Sequence, residues 1–145
     1  MSKNIFILND PNDINPYREQ ANFDSVAISN LDSLINNYYN VICVTCIEKL
    51  TEENAIKVIN TIDNKLRPGG EALVVMVDKS KICQLFLDKT IDEQTLIESL
   101  SGIKNNISSD KIIDLLGKNF DVVNIAKSNG SQTIHLGKKN HENQV

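Results

Sequence analysis

At 145 residues the chain is long enough to fold alone around one core, burying roughly 68–70% of the surface that its unfolded form exposes. With 41% hydrophobic and 23% charged residues it lies near the globular average, which excludes collagen-like, coiled-coil and wholly disordered classes. Fifteen Lys and Arg stand against nineteen Asp and Glu, a formal charge of −4, and no stretch gathers the basic residues into a stripe, so nucleic-acid binding through phosphates is not expected.

Met1 is followed by Ser2-Lys3-Asn4 rather than by a basic and then apolar signal segment, so the expectation is a cytoplasmic chain. Ile5-Phe6-Ile7-Leu8 is short, β-branched and aromatic, and it stops against the turn formers Asn9-Asp10-Pro11-Asn12-Asp13, which reads as a strand entering a loop. Asn15 before Pro16 reads as the cap of a brief helix through about Phe23. Val26-Ala27-Ile28 and Val41-Ile42-Cys43-Val44 read as buried strands, with Leu31, Leu34 and Ile35 at helical spacing between them.

Thr51 followed by Glu52 and Glu53 places a cap and two acids at the positive end of a helix dipole. Ala55, Val58, Ile59, Ile62 and Leu66 then form one apolar stripe, which Pro68-Gly69-Gly70 ends. Ala72 to Val77 is apolar without alternation, the pattern of an interior strand covered on both faces and parallel to its neighbours. It is also the longest such run, far below the roughly 18 residues of a membrane span. Helices are expected from about Asp92, carrying Leu96, Ile97, Leu100 and Ile103, and from about Ser109, carrying Ile112, Ile113, Leu115 and Leu116 before Gly117, both packed on the sheet. Asn129-Gly130 between Asp121–Ala126 and Gln132–Leu136 is a hairpin signal. The expected layout is one domain over 1–137 and a polar tail over 138–145.

Strands alternating with helices through a buried strand and closed by a hairpin describe an α/β sandwich. Val41 to Leu50 looks like a fourth strand with a His-x-Leu-Glu-His-Leu-like turn after it, and Leu66-Arg67-Pro68-Gly69-Gly70-Glu71-Ala72-Leu73 looks like the Leu-Lys-Pro-Gly-Gly turn into a fifth strand. In these motifs the chain resembles the class I S-adenosylmethionine-dependent methyltransferases, the type 11 group above all, over about Val26 to Leu136. The resemblance implies a Rossmann-like methyltransferase sheet, mostly parallel, with a C-terminal antiparallel hairpin matching the sixth and seventh strands and an abbreviated N-terminus. It implies S-adenosylmethionine as cofactor and no metal.

Site residues carry over one by one. Asp13, in Asp13-Ile14-Asn15, resembles the acidic end of the second strand, which holds the ribose. Asn30 and Leu31 sit where the family often has Asp-Leu after the third strand, the acid accepting from the adenine amino group and the leucine lying beside the ring. The Thr45–Cys46 turn closes the pocket. The family's Gly-rich loop after the first strand has no counterpart, since the earliest glycine is Gly69. In this register only Asn9 to Asn12 separate the first two strands, too few for a parallel crossover, so a loop and a helix would be missing.

Other residues have plainer readings. Cys43 and Cys46 form a single C-x-x-C, whose members point to opposite faces if both lie on a strand, so both are read as ordinary thiols. Cys83 reads as a core residue of a helix, and His135 as turned away from the core. Glu48 and Lys49 read as a solvated turn. Two functional readings stand side by side. One is a methyltransferase-like domain degenerate in cofactor binding, acting through a protein partner or as a homo-oligomer, as some relatives do. The other is a small methyltransferase, active alone or with a partner subunit.

Overall fold

The computed structural model describes residues 3–8, 23–45, 47–128 and 130–140. Among the described residues six strands form one sheet: β1 (Asn4–Leu8), β2 (Phe23–Ala27), β3 (Tyr39–Thr45), β4 (Leu66–Val77), β5 (Phe120–Ser128) and β6 (Ser131–Lys138). Their order is β2-β1-β3-β4-β6-β5. β2, β1, β3 and β4 run parallel, whereas β6 is antiparallel to both β4 and β5. The helices are α1 (Glu52–Lys65), α2 (Lys79–Leu87), α3 (Glu93–Leu100) and α4 (Ser109–Leu116).

Side chains alternate across a strand, and one set of alternates makes the core. Ile5, Ile7, Ile42, Val44, Ala72, Val74, Met76, Ile134 and Leu136 are buried against Leu31, Ala55, Val58, Ile59, Ile62, Ile112 and Leu116. The stripe read from the sequence is therefore the buried face of α1, whose N-cap Thr51 accepts from Asn54 N at 3.3 Å. At its other end α1 is held by a buried cation. Lys138 donates from Nζ to Asp63 O, to Leu66 O at 2.9 Å and to Asn37 Oδ1 at 3.3 Å, so three acceptors match the three protons of an ammonium. Burial holds its pKa below the ordinary lysine value, and the Asp63 carboxylate opposes that shift. Lys138, expected to open the polar tail, is thus the last residue of β6 and a capping group.

Pro68-Gly69-Gly70 lies inside β4, where it forms an irregularity: Tyr39 pairs with Leu66, yet Val41 pairs with Glu71. Gly69 has φ +84°, and a Cβ on Gly70 would stand 2.9 Å from Arg67 O and 3.0 Å from Tyr39 O. The motif is required by backbone geometry.

Several expectations need correction. Along β4, Ala72, Val74 and Met76 are buried while Leu73, Val75 and Val77 are only half-buried, so the run is sealed on one face and not on both. β4 is interior as expected, but parallel to β3 alone. The helical spacing of Leu31, Leu34 and Ile35 yields only a 3₁₀ turn, Ile28–Ser33. The helix expected from Asn15 lies outside the described residues up to Phe23, which begins β2. α3 starts after its N-cap Asp92, whose carboxylate accepts from Thr95 N at 2.8 Å, but it buries no residue and packs on α2 rather than on the sheet. That backbone hydrogen bond holds the Asp92 pKa low. Cys83 lies on a helix but is exposed, whereas Cys43 is buried.

Candidate functional site

β1 has a parallel neighbour on each side: the chain passes from β1 to β2 on one flank and then crosses back to β3 on the other. In open α/β sheets the ligand crevice lies where the strand order reverses, outside the carboxyl ends of the strands. Here that place is the edge formed by Leu8 of β1 and Thr45 of β3, with Ala27 of β2 and Val77 of β4 to either side.

The pairing also corrects the register of the upstream residues. The place beside β1 belongs to Phe23–Ala27, with Asn4 opposite Phe23 and Leu8 opposite Ala27. β2 is therefore the second strand, and residues 9–22 separate it from β1, more than the dozen or so that a parallel crossover needs. Among the described residues no strand lies between β2 and β3 in the chain. Asn30 and Leu31 thus follow the second strand rather than a third.

Of the proposed cofactor residues, Asp13 and Cys46 lie outside the described residues. Thr45 is half-buried at the end of β3 and Asn30 is exposed, both on the carboxyl edge. Leu31 is fully buried within the core, so its side chain packs between sheet and α1 instead of facing a crevice. After β2 the first carboxylate is Asp32, an exposed side chain whose Oδ2 lies 3.8 Å from Lys57 Nζ.

Glu48 shows what the sequence reading missed. Expected in a solvated turn, it is completely buried at the carboxyl edge, between the ends of β3 and β4. Its Oε1 accepts from Val77 N at 2.9 Å, and its main-chain oxygen accepts from Lys104 N at 2.9 Å and Asn105 N at 3.3 Å. Asn105, also buried, donates to Ile47 O and Leu50 O and accepts from Ile107 N at 3.0 Å. The Ile47–Lys49 turn is thereby fixed to both the end of β4 and the segment before α4. Glu48 Oε2 has no hydrogen-bond partner among the described residues. A sequence signal existed, since Glu48 is the acid of the His-x-Leu-Glu-His-Leu-like turn; its burial had none.

On the opposite face of the sheet His135 Nε2 lies 3.3 Å from Glu71 Oε1, with His135 directly across from Leu73. Among the described residues no three His, Cys, Asp or Glu side chains converge as a metal site would require. No helix among them is long and apolar enough to cross a membrane.

No protein-family model matches the chain, and no curated protein matches it in sequence. Solved structures do share its fold. The plantazolicin methyltransferase BpumL in complex with SAH aligns with a TM-score of 0.59 at 14% identity over 93% of this chain and 66% of its own. An S-adenosylmethionine-dependent methyltransferase from Mesorhizobium loti aligns at 0.56, with 9% identity, over 82% and 71% of the two chains. A structure described by the conversion of a disulfide bond into a thioacetal group during echinomycin biosynthesis aligns at 0.54 and 14% identity, over 93% and 66%. The chain thus spans about two thirds of the length of these proteins. The fold is that of the class I methyltransferases, mostly parallel with a C-terminal antiparallel hairpin.

The described residues at the crevice supply little that would hold S-adenosylmethionine. A tight approach to its methionine end needs backbone uncovered by side chains, and the sequence has no glycine before Gly69. The end of β2 presents Ser29 and Asn30 where a ribose calls for a carboxylate, and Leu31 is turned into the core. Glu48 Oε2 is an acceptor in want of a donor, yet it is sealed from solvent.

Proposed function

We propose that this chain is a methyltransferase-fold domain whose cofactor site is degenerate and which works by binding a protein partner. The observation that carries the reading is the end of β2: the strand beside β1 leads into Ser29-Asn30-Leu31, an exposed amide and a core leucine, and the first carboxylate after it among the described residues, Asp32, lies 3.8 Å from Lys57 Nζ. A charge-assisted hydrogen bond is worth roughly 1.5–3 kcal/mol, so the loss of two weakens affinity a hundredfold or more. The apolar residues exposed on edge strand β5, Val122, Val123 and Ile125, support the binding role.

Calorimetric titration of the chain with S-adenosylmethionine and S-adenosylhomocysteine tests the reading, which expects no saturable binding below about millimolar. Micromolar binding would overturn it in favour of the second reading, a small methyltransferase. One observation favours that alternative: the buried, unpartnered Glu48 Oε2 at the carboxyl edge. Under the second reading Asn30→Asp strengthens binding, because a carboxylate accepts better than an amide, whereas under the degenerate reading it leaves the ligand response flat.

A further inference from the structure

α2 ends in an unusual way. Asp88 N donates to Gln84 O, Lys89 N to Phe86 O and Thr90 N to Leu85 O, a closing pattern that puts Lys89 in the left-handed region at φ +61°. That place in a helix terminus is ordinarily filled by glycine, or by asparagine, because a Cβ is strained there. Strain of this kind at a residue with no packing role points toward function.

Around Lys89 the α2–α3 connection forms an open cavity of about 740 Å³, lined by Phe86, Leu87, Lys89, Thr90, Ile91 and Asp92. It is a shallow depression, with Leu87, Lys89, Thr90 and Asp92 exposed along it. Its body is apolar: Phe86 and Ile91 are half-buried, and Leu87, at the very end of the helix, is 77% exposed. Its rim carries two charges of unequal freedom. The Asp92 carboxylate is taken up in capping α3 through Thr95 N, whereas Lys89 is in no ion pair among the described residues.

We propose that this cavity binds an amphipathic anion, its apolar body against Phe86, Leu87 and Ile91 and its acidic head at the Lys89 ammonium. The occupant is a small carboxylate with an aliphatic or aromatic body. The site is independent of the cofactor reading, since it lies at the far end of α2 from the edge of β4 and uses none of the crevice residues.

The test is a pair of ligands differing only in the head group, decanoate below its micellar concentration and 1-decanol, titrated into the full chain and followed by calorimetry. The wild-type chain is expected to bind decanoate saturably and five- to tenfold more tightly than decanol, as one exposed charge-assisted contact allows. Lys89→Gly should abolish that preference while raising the melting temperature, because it relieves the left-handed strain; Lys89→Arg should retain the preference. Leu87→Ser, at an exposed position, should weaken both ligands alike. Equal affinity for the two ligands, an absence of saturable binding, or undiminished decanoate preference in Lys89→Gly would overturn the proposal.

Discussion

The sheet has two faces of different character. On one, alternate residues of β1, β3, β4 and β6 are shut beneath the Ile28–Ser33 turn, α1 and α4, and most are less than 2% exposed. On the other, Phe6 and Cys43 are buried toward β1 and β3, but Leu73, Val75, Val77, Thr133 and His135 keep part of their surface in water. Hydrophobicity alone does not set this difference, since Val74 and Val75 are the same residue. What differs is the cover. Among the described residues the sealed face receives the Ile28–Ser33 turn, α1 and α4. The half-open face is therefore where substitution is tolerated.

The sharpest way to break the comparison is to place one charge on each face. Val74→Asp buries an unpaired carboxylate at a site with no exposure, costing several kcal/mol against a total stability of roughly 5–15 kcal/mol, and should leave the chain unfolded. Val75→Asp, one residue along, should fold with a loss of about 1–2 kcal/mol. Urea unfolding followed by circular dichroism separates the two. Equal losses would mean that both faces are sealed.

Next in size is the cation closing the sealed side. Lys138→Met leaves Asp63 O, Leu66 O and Asn37 Oδ1 without their donor and should cost about 2–3 kcal/mol in the same measurement. The pH dependence has a definite sign. Because burial lowers the lysine pKa in the folded state, the unfolded chain holds its proton more tightly, so this group makes stability rise with pH between its folded pKa and about 10.5. The wild type should show that slope on the approach to pH 10.5 relative to Lys138→Met. An opposite slope would mean that the Asp63 carboxylate outweighs desolvation.

Gly130 probes where α2 meets the hairpin. It has φ +97°, its oxygen accepts from Asp78 N at 2.8 Å, and a Cβ there would collide with Ile82 Cδ1. Gly130→Ala should cost about 2 kcal/mol, from both the backbone and the clash. Ile82→Val removes the colliding methyl, so in the double variant the clash should vanish and the backbone strain remain. Strict additivity of the two single losses would show that Ile82 does not press on the turn.

How far the sequence carried these features follows from what kind of interaction produced each. The Ala55-to-Leu66 stripe, the cap Thr51, the helix starts near Asp92 and Ser109, and the final hairpin are local patterns, and all stand where they were read. Pro68-Gly69-Gly70 was legible as a turn signal, although it works as an irregularity inside β4. Coverage was not legible. An apolar run such as Ala72–Val77 reads the same whether one face or two are packed, because burial is decided by elements distant in the chain. The same holds for Glu48 and Lys138, charged residues whose burial depends on carbonyls and amides tens of residues away. At the site, placing Asn30 and Leu31 required knowing which strand lies beside β1, and that is a fact of pairing rather than of composition.

The smallest effect is expected at the centre of the half-open face. His135 lies between the buried Ile134 and Leu136 but points to the other side, where its Nε2 comes within 3.3 Å of Glu71 Oε1; the two side chains are 28% and 53% exposed. Contacts between side chains this exposed contribute about 0–1 kcal/mol, and Nε2 makes no hydrogen bond among the described residues that the substitution would break. Thr is a good strand former and pairs well across from leucine, so His135→Thr should change stability by no more than about 0.5 kcal/mol. Chemical denaturation at pH 7 is sufficient to measure it, with Ile134→Thr on the sealed face as the counterpart expected to lose several times as much. A large loss from His135→Thr would mean that the imidazole is part of a packed surface, and the contrast between the two faces would then fail at its centre.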